Sequence, residues 1–144
     1  MIDKKVLEKF QNILKKEQLK LTKQRLAVLA NVVNNRGHRE CDEIYDQLKS
    51  DGEIVSRATV YRTIAILEKY VFLRKLELGD GRARYEYKLG LGHHDHMICI
   101  ECGQIIEFFN TEIESLQDQI CKEKNFRLVR HIHQLFGVCE ICQD

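Results

Sequence analysis

The chain has 144 residues, 44% of them hydrophobic, and a formal net charge of +1. That length accommodates one domain or two small ones, each of the two near the lower size limit for a self-sufficient core. The opening MIDKKVLEKF is charged and amphipathic rather than a secretory leader, and no apolar run reaches transmembrane length, so a cytoplasmic protein with no membrane contact and reduced cysteines is expected.

Charge is distributed unevenly along the chain. Residues 1–88 hold 19 Lys+Arg against 13 Asp+Glu, a surplus of +6, whereas residues 89–144 hold 4 against 9, or −5. A basic half joined to an acidic half implies a polyanion-binding part and a part with another task.

In chain order, Leu7, Phe10 and Leu14 share one face of a first helix. Thr22 is placed to cap a second, in which Leu26, Leu29, Ala30 and Val33 follow the i, i+3, i+4, i+7 pattern. NNRGH interrupts it, a short helix surrounds Ile44 and Leu48, and SDGE ends that one. Ser56 then caps SRATVYRTIAILEKYV, with Val60, Ile64, Leu67 and Val71 aligned on the buried side. After this the period drops to 2. RKLEL–GDG–RARYEYK reads as a β-hairpin, with Ala83, Tyr85 and Tyr87 on one side and Arg82, Arg84, Glu86 and Lys88 on the other. Helices followed by a hairpin are the order of a winged helix-turn-helix, and LGLG (89–92) is suited to a hinge.

Beyond the hinge, HMICIECGQIIEF reads as a strand, Thr111 to Lys124 as a helix, and FRLVRHIHQLFGV as a second strand. One helix over so few strands leaves apolar surface uncovered, so this half is expected to dimerise by extending a sheet between subunits. The expected fold is α+β: an N-terminal winged helix-turn-helix DNA-binding domain over 1–88, a hinge, and a C-terminal α/β dimerisation domain over 93–144.

In a helix-turn-helix the second helix enters the major groove with its N-terminal residues at the base edges. Here that helix is 56–70, and burial of Val60, Ile64 and Leu67 leaves Arg57, Thr59, Tyr61 and Arg62 near the exposed side. Arginine serves phosphate or guanine, and a tyrosine ring can lie against a thymine methyl. Lys20 and the wing residues Arg82 and Arg84 are placed to reach the backbone or minor groove of double-stranded DNA. The competing reading, a solvated helix face with a core tyrosine, does not account for the charge asymmetry or the helix–helix–wing order.

CIEC (Cys99, Cys102) and CEIC (Cys139, Cys142) are C-x-x-C knuckles with 36 residues between them. Four thiolates suit a closed tetrahedral Zn(II) site, structural because no coordination position is left for chemistry. Such a site would staple the last strand to the first. A thiol–disulfide switch is the rival reading. Cys41 and Cys121 lack a partner at ligand spacing and read as buried small hydrophobes.

HHDHMICIECG (93–103) is dense in metal-capable side chains. Successive side chains of an extended segment point to opposite sides, so His94 and His96 face one way and His93 and Asp95 the other. One run can therefore serve two sites, with further ligands drawn from His38, Glu86, Glu107, Glu114, His131 and His133. For some of these a plainer reading stays open: Glu114, three residues after Thr111, suits a capping box, His38 a loop, and His133 an exposed strand position.

ATVYRTI after a capped start, HHDHMICIECG followed by IIEF, and GVCEIC at the end together resemble the ferric uptake regulator family over nearly the whole chain. The resemblance implies a dimeric regulator, usually a repressor, that binds operator DNA when loaded with a divalent metal. It implies a regulatory site of His38, Glu86, His94, His96 and Glu107. A second C-terminal site falls on His93, Asp95, Glu114 and His131, a structural zinc on the four knuckle cysteines, and DNA contacts on Lys20, Tyr61 and Arg62. Because the regulatory ligands come from both halves, a bound metal would fix the halves' orientation across the hinge. The imidazole–carboxylate set suits Fe(II), with Mn(II) or Zn(II) as alternatives. Peroxide-sensing relatives carry aspartates where this chain has Glu86 and Glu107, and zinc-responsive relatives often lack a full carboxylate set, so the iron-responsive branch is expected. The partners expected are operator DNA and a second copy of the chain, with dimer against higher oligomer left open.

Two other classes compete. HRE (38–40) with a C-x-x-C echoes the zinc-deaminase signature, but no proline precedes either cysteine pair, so no enzyme is expected. A metal-storage or thiol-redox module would leave the basic half without a role.

Overall fold

The computed structural model describes residues 2–89 and 92–143. Gly90 and Leu91 of the expected hinge lie outside the described residues. Two compact units, Met1–Leu91 and Gly92–Asp144, make up the chain.

Four helices open the first unit: α1 Lys4–Lys16, α2 Lys23–Asn34, α3 Cys41–Ser50 and α4 Arg57–Lys69. Their starts are fixed by side chains that accept orphan N–H groups, each contributing about 1 kcal/mol. Asp3 accepts from Lys5 N–H at 2.8 Å, Thr22 from Arg25 N–H at 3.2 Å, and Ser56 from Thr59 N–H at 3.1 Å. α3 starts with a capping box between Glu40 and Glu43. The helices bury Phe10 and Leu14, Val28 and Leu29, Ile44 and Leu48, and Val60, Ile64 and Leu67 in one core. Phe72 closes it from the far end of α4, edge-on to Phe10 at 6.4 Å between centroids. At roughly 1.5–3 kcal/mol per buried side chain, this core is what holds the unit together.

Two helix faces differ from the sequence pattern. α2 buries Val28, Leu29 and Val32 fully, while Leu26, Ala30 and Val33 are only half-buried. Its apolar residues run nearly all round, so periodicity alone did not fix which stripe faces inward. Val71 does not belong to the buried stripe of α4. It sits past the helix end at φ +65° and is 52% exposed. Phe72 N–H bonds to Leu67 C=O at 2.8 Å and Val71 N–H to Glu68 C=O at 3.0 Å, the Schellman arrangement that turns the chain back onto the core.

The wing follows as β1 Leu73–Glu77 and β2 Ala83–Tyr87, antiparallel with Leu73 opposite Tyr87. Gly79 and Gly81 at the turn have φ of +81° and +77°, where only glycine is unstrained. Arg39 and Tyr85 exchange N–H···O=C bonds of 3.1 and 2.7 Å, which lays the loop after α2 beside β2. Glu86 on β2 is buried, whereas Lys88, expected on the same side of the hairpin, is exposed.

The second unit is a three-stranded sheet ordered β4–β3–β5, with β3 Asp95–Cys99 central, β4 Ile105–Phe108 antiparallel and β5 Gln134–Gly137 parallel to it. The expected single strand over 96–108 is two strands, because the knuckle turn after Cys99 reverses the chain through Gly103 at φ +77°. The expected strand over 126–138 is reduced to its last third, and Phe126, Val129 and Ile132 stand exposed. A strand needs a neighbour to pair with, and these residues have none in the described sheet. Helix α5, Thr111–Glu123, has no buried residue and presents Ile113, Leu116 and Ile120 to the exterior. Among the described residues of this unit, Ile98 and Cys99 are the buried apolar side chains. That is too little for a stable core without a staple or a partner. No helix among the described residues is long and apolar enough to cross a membrane.

Candidate metal centres and nucleic-acid interface

Parallel pairing of β3 and β5, with Cys99 opposite Gly137, sends both chains out at the same end of the sheet. There the turn after β3 carries Cys102, and the stretch after β5, ending in a short 3₁₀ turn at Glu140–Cys142, carries Cys139 and Cys142. All four sulfurs lie within 4.8 Å of one another. Cys102 Sγ and Cys139 Sγ are 3.7 Å apart, too far for the ~2.05 Å bond of a disulfide. The distance fits the edge of about 3.8 Å of a tetrahedron with Zn–S bonds of ~2.3 Å. The N–H groups of Cys102 and Cys139 point at Cys99 Sγ from 3.5 and 3.3 Å and hold its thiol down to about 6. Cys142 is pushed up to about 12, first by its hydrogen bond to Cys139 and then by burial. The donor set is therefore one that four negative charges can occupy only around a cation, and a closed S₄ shell fits Zn(II). Cys41 is buried, and burial pushes its thiol up to about 11. Cys121 is half-buried rather than buried, since α5 has no core to enter.

A second cluster lies where β3 begins. Asp95 is 1% exposed. Its Oδ1 is 3.0 Å from His131 Nε2 and 3.2 Å from His93 Nε2. Glu114 Oε1 is 3.1 Å from the same His93 nitrogen and 3.5 Å from that of His131. Two imidazoles and two carboxylates thus converge on one point, a donor set for a borderline divalent cation. Glu114 does not close a capping box: the N-cap of α5 is Asn110, whose side chain accepts from Glu112 and Ile113 N–H. That leaves the Glu114 carboxylate for the cluster.

The opposite face of β3 carries His96, fully buried and directly across from Glu107 on β4. The His94 ring lies 4.9 Å from that of His96, and His94 Nε2 is 3.5 Å from Glu107 Oε1. Within the first unit, His38 Nε2 is 2.9 Å from Glu86 Oε2, with both side chains largely shielded. The Arg39–Tyr85 bridge sets that distance, since it fixes the neighbours of both residues in register. His133 is half-buried, its ring edge-on to Phe108 at 5.6 Å.

On α4, Arg57, Tyr61 and Arg62 are exposed, and Arg62 Nε donates to Ala58 C=O at 3.3 Å. Thr59 is half-buried, its hydroxyl accepting from Ser56 Oγ at 2.8 Å within the helix cap. Lys20 is exposed ahead of α2, and its carbonyl accepts from Arg25. In the wing, Arg82 is exposed, whereas Arg84 is tied to Asp80 at 2.8 Å and mostly shielded. One residue of this surface had no signal in the sequence reading. Asp42, in the first turn of α3, accepts from Tyr61 Oη at 2.9 Å and pairs with Arg57 at 2.9–3.0 Å. An acidic residue at a helix start reads as a partner of the helix dipole, which hid its second role.

The profile of the ferric uptake regulator family matches residues 16–136. A ferric uptake regulation protein of Neisseria meningitidis is 39% identical over 140 residues, covering 95% of this chain and 96% of that protein. The structure of the Helicobacter pylori ferric uptake regulator, in which three functional metal-binding sites were described, superposes with a TM-score of 0.88 at 35% identity. It covers 97% of this chain and 93% of its own. The Francisella tularensis ferric uptake regulator, solved with iron, gives a TM-score of 0.80 at 31% identity, covering 88% of this chain and 96% of its own. With fold, metal-capable clusters and sequence in agreement over almost the full length, the chain belongs to the ferric uptake regulator family, a family of regulators rather than enzymes.

Proposed function

We propose that this protein is a cytoplasmic, homodimeric repressor that binds double-stranded operator DNA when a regulatory divalent cation, Fe(II) in the cell, is bound, and so controls iron uptake. The observation that carries the reading is the division of metal-capable groups between the units. His38 and Glu86 form a shielded pair in the first, and His94, His96 and Glu107 group on one face of β3 and β4 in the second. Neither group offers a full octahedral or tetrahedral shell.

A divalent cation, when bound, supplies the positive charge that both ligand groups need. The ligands then stabilise only the arrangement in which both units contribute, which selects one placement of the DNA-binding unit. The mixed imidazole–carboxylate donors suit Fe(II) and also accept Mn(II) or Zn(II), and the relative from Francisella tularensis was solved with iron. His93, Asp95, Glu114 and His131 form the second C-terminal site, and the four cysteines hold structural Zn(II).

The uncovered apolar stripe of α5 and the stretch 126–132, which lies in none of the described strands, support dimerisation by sheet extension, and the near absence of a core in this unit supports it further. In each protomer α4 then presents Arg57, Thr59, Tyr61 and Arg62 to the major groove, with Lys20 at the flanking backbone. Occupancy of iron-uptake promoters in the native cell tests the reading. Occupancy is expected to rise with iron repletion and to fall with an intracellular chelator. Occupancy indifferent to iron, or responding only to peroxide or zinc, would overturn it.

A further inference from the structure

We propose that Asp42 is a specificity-determining residue of the DNA interface. It holds Arg57 back from non-specific phosphate contact and fixes the aim of Tyr61. The proposal rests on the DNA-binding reading above and adds a residue to it.

Three observations carry it. Asp42 projects from the first turn of α3 toward the start of α4, and one carboxylate serves two residues of the DNA-reading surface proposed above. It accepts from Tyr61 Oη at 2.9 Å and pairs with the Arg57 guanidinium at 2.9 Å. Arg57 and Tyr61, one turn apart, also contact each other: the guanidinium donates to Tyr61 Oη at 3.3 Å and lies 5.4 Å from the ring centroid. The triad is closed, each member touching the other two, and it stands on an exposed surface where side chains ordinarily rotate freely. By contrast, Arg62 donates to a carbonyl of its own helix, that of Ala58, at 3.3 Å.

The consequences for recognition are physical. An arginine that neutralises a phosphate releases about one counterion and strengthens binding to any sequence. With its charge engaged by Asp42, Arg57 contributes less of that indiscriminate term, and the carboxylate itself repels backbone. The tyrosine ring, held by its hydroxyl and covered by the guanidinium, is fixed before contact. Its ordering is therefore not charged against binding, and its free edge meets one base position. Affinity is thus shifted from phosphate attraction toward base readout.

The test uses the metal-loaded full-length protein. Affinity for an operator duplex and for a scrambled duplex is measured as a function of salt for the wild type and for Asp42→Asn, Tyr61→Phe, Arg57→Ala and the Asp42→Asn/Arg57→Ala double variant. Thermal unfolding confirms that each is folded. Asp42→Asn is expected to tighten binding to scrambled DNA, steepen its log–log salt dependence by about 0.9 per arginine released, and lower the operator-to-scrambled ratio roughly tenfold. Tyr61→Phe should lower the ratio without changing the slope. In the Arg57→Ala background, Asp42→Asn should leave the slope as it is, because the arginine it restrains is gone. An unchanged ratio and slope in Asp42→Asn, or an equal steepening with and without Arg57, would overturn the proposal. A wild type that fails to prefer operator DNA would overturn the DNA-binding reading instead.

Discussion

Cys102 Sγ and Cys139 Sγ stand 3.7 Å apart although 36 residues separate them in the chain. The parallel β3–β5 pairing brings them together, and with Cys99 and Cys142 they close the open end of a sheet that buries little else. Structural zinc binds with roughly 10–16 kcal/mol of apparent free energy, comparable to the ~5–15 kcal/mol that stabilises a whole domain. Cys102→Ser is therefore expected to lose zinc and, with it, the fold of the C-terminal unit and the dimer. Metal analysis and sedimentation check this. A zinc-free variant that stays dimeric with unchanged unfolding temperature would contradict it.

His96→Ala should behave differently. The residue lies on the opposite side of β3 from the Asp95 cluster and away from the knuckles, across from Glu107. The variant is expected to keep its zinc and its dimer but to lose metal-dependent operator binding, so that its affinity is the same with and without Mn(II). Should it lose zinc and dimerisation as Cys102→Ser does, the separation of regulatory from structural ligands is wrong.

Arg62 is exposed on α4 and has no carboxylate partner among the described residues. Arg62→Ala is expected to weaken operator binding by about 1–3 kcal/mol without altering metal content. A drop that is uniform across sequences, with a shallower salt slope, would identify a phosphate contact; relaxed preference at one position would identify a base contact. Undiminished binding would remove it from the interface.

Val71 occupies, at φ +65°, the position where helices usually end in glycine. A β-branched residue in the left-handed region costs about 1–2 kcal/mol, and its 52% exposed side chain returns little by burial. Val71→Gly should thus stabilise the N-terminal unit by about 1 kcal/mol, read as a raised denaturation midpoint with unchanged slope. A lowered midpoint would contradict the strain.

The elements whose signals are local were legible in the sequence. Thr22 and Ser56 cap as their positions imply, and GDG makes the wing turn because two residues there need positive φ. Within each knuckle the C-x-x-C spacing itself sets two sulfurs side by side, while the meeting of the two knuckles depends on the β3–β5 pairing. What escaped was non-local. The loop after α2 pairs with β2 through Arg39 and Tyr85, 46 residues apart, a contact that no periodicity encodes and that sets His38 against Glu86. The stretch 126–132 has strand composition but joins no strand of the described sheet. α2, apolar on most sides, hides which stripe faces the core. Asp42 was invisible because its role appears only when α3 and α4 are side by side.

The most direct measurement compares operator affinity of the zinc-retaining protein with its regulatory cation present and stripped, using anaerobic Fe(II) or Mn(II). The account predicts binding at least tenfold tighter in the loaded protein, a coupling of at least ~1.4 kcal/mol, abolished by Glu86→Ala and by His94→Ala alike. Equal affinity in the two states would contradict it.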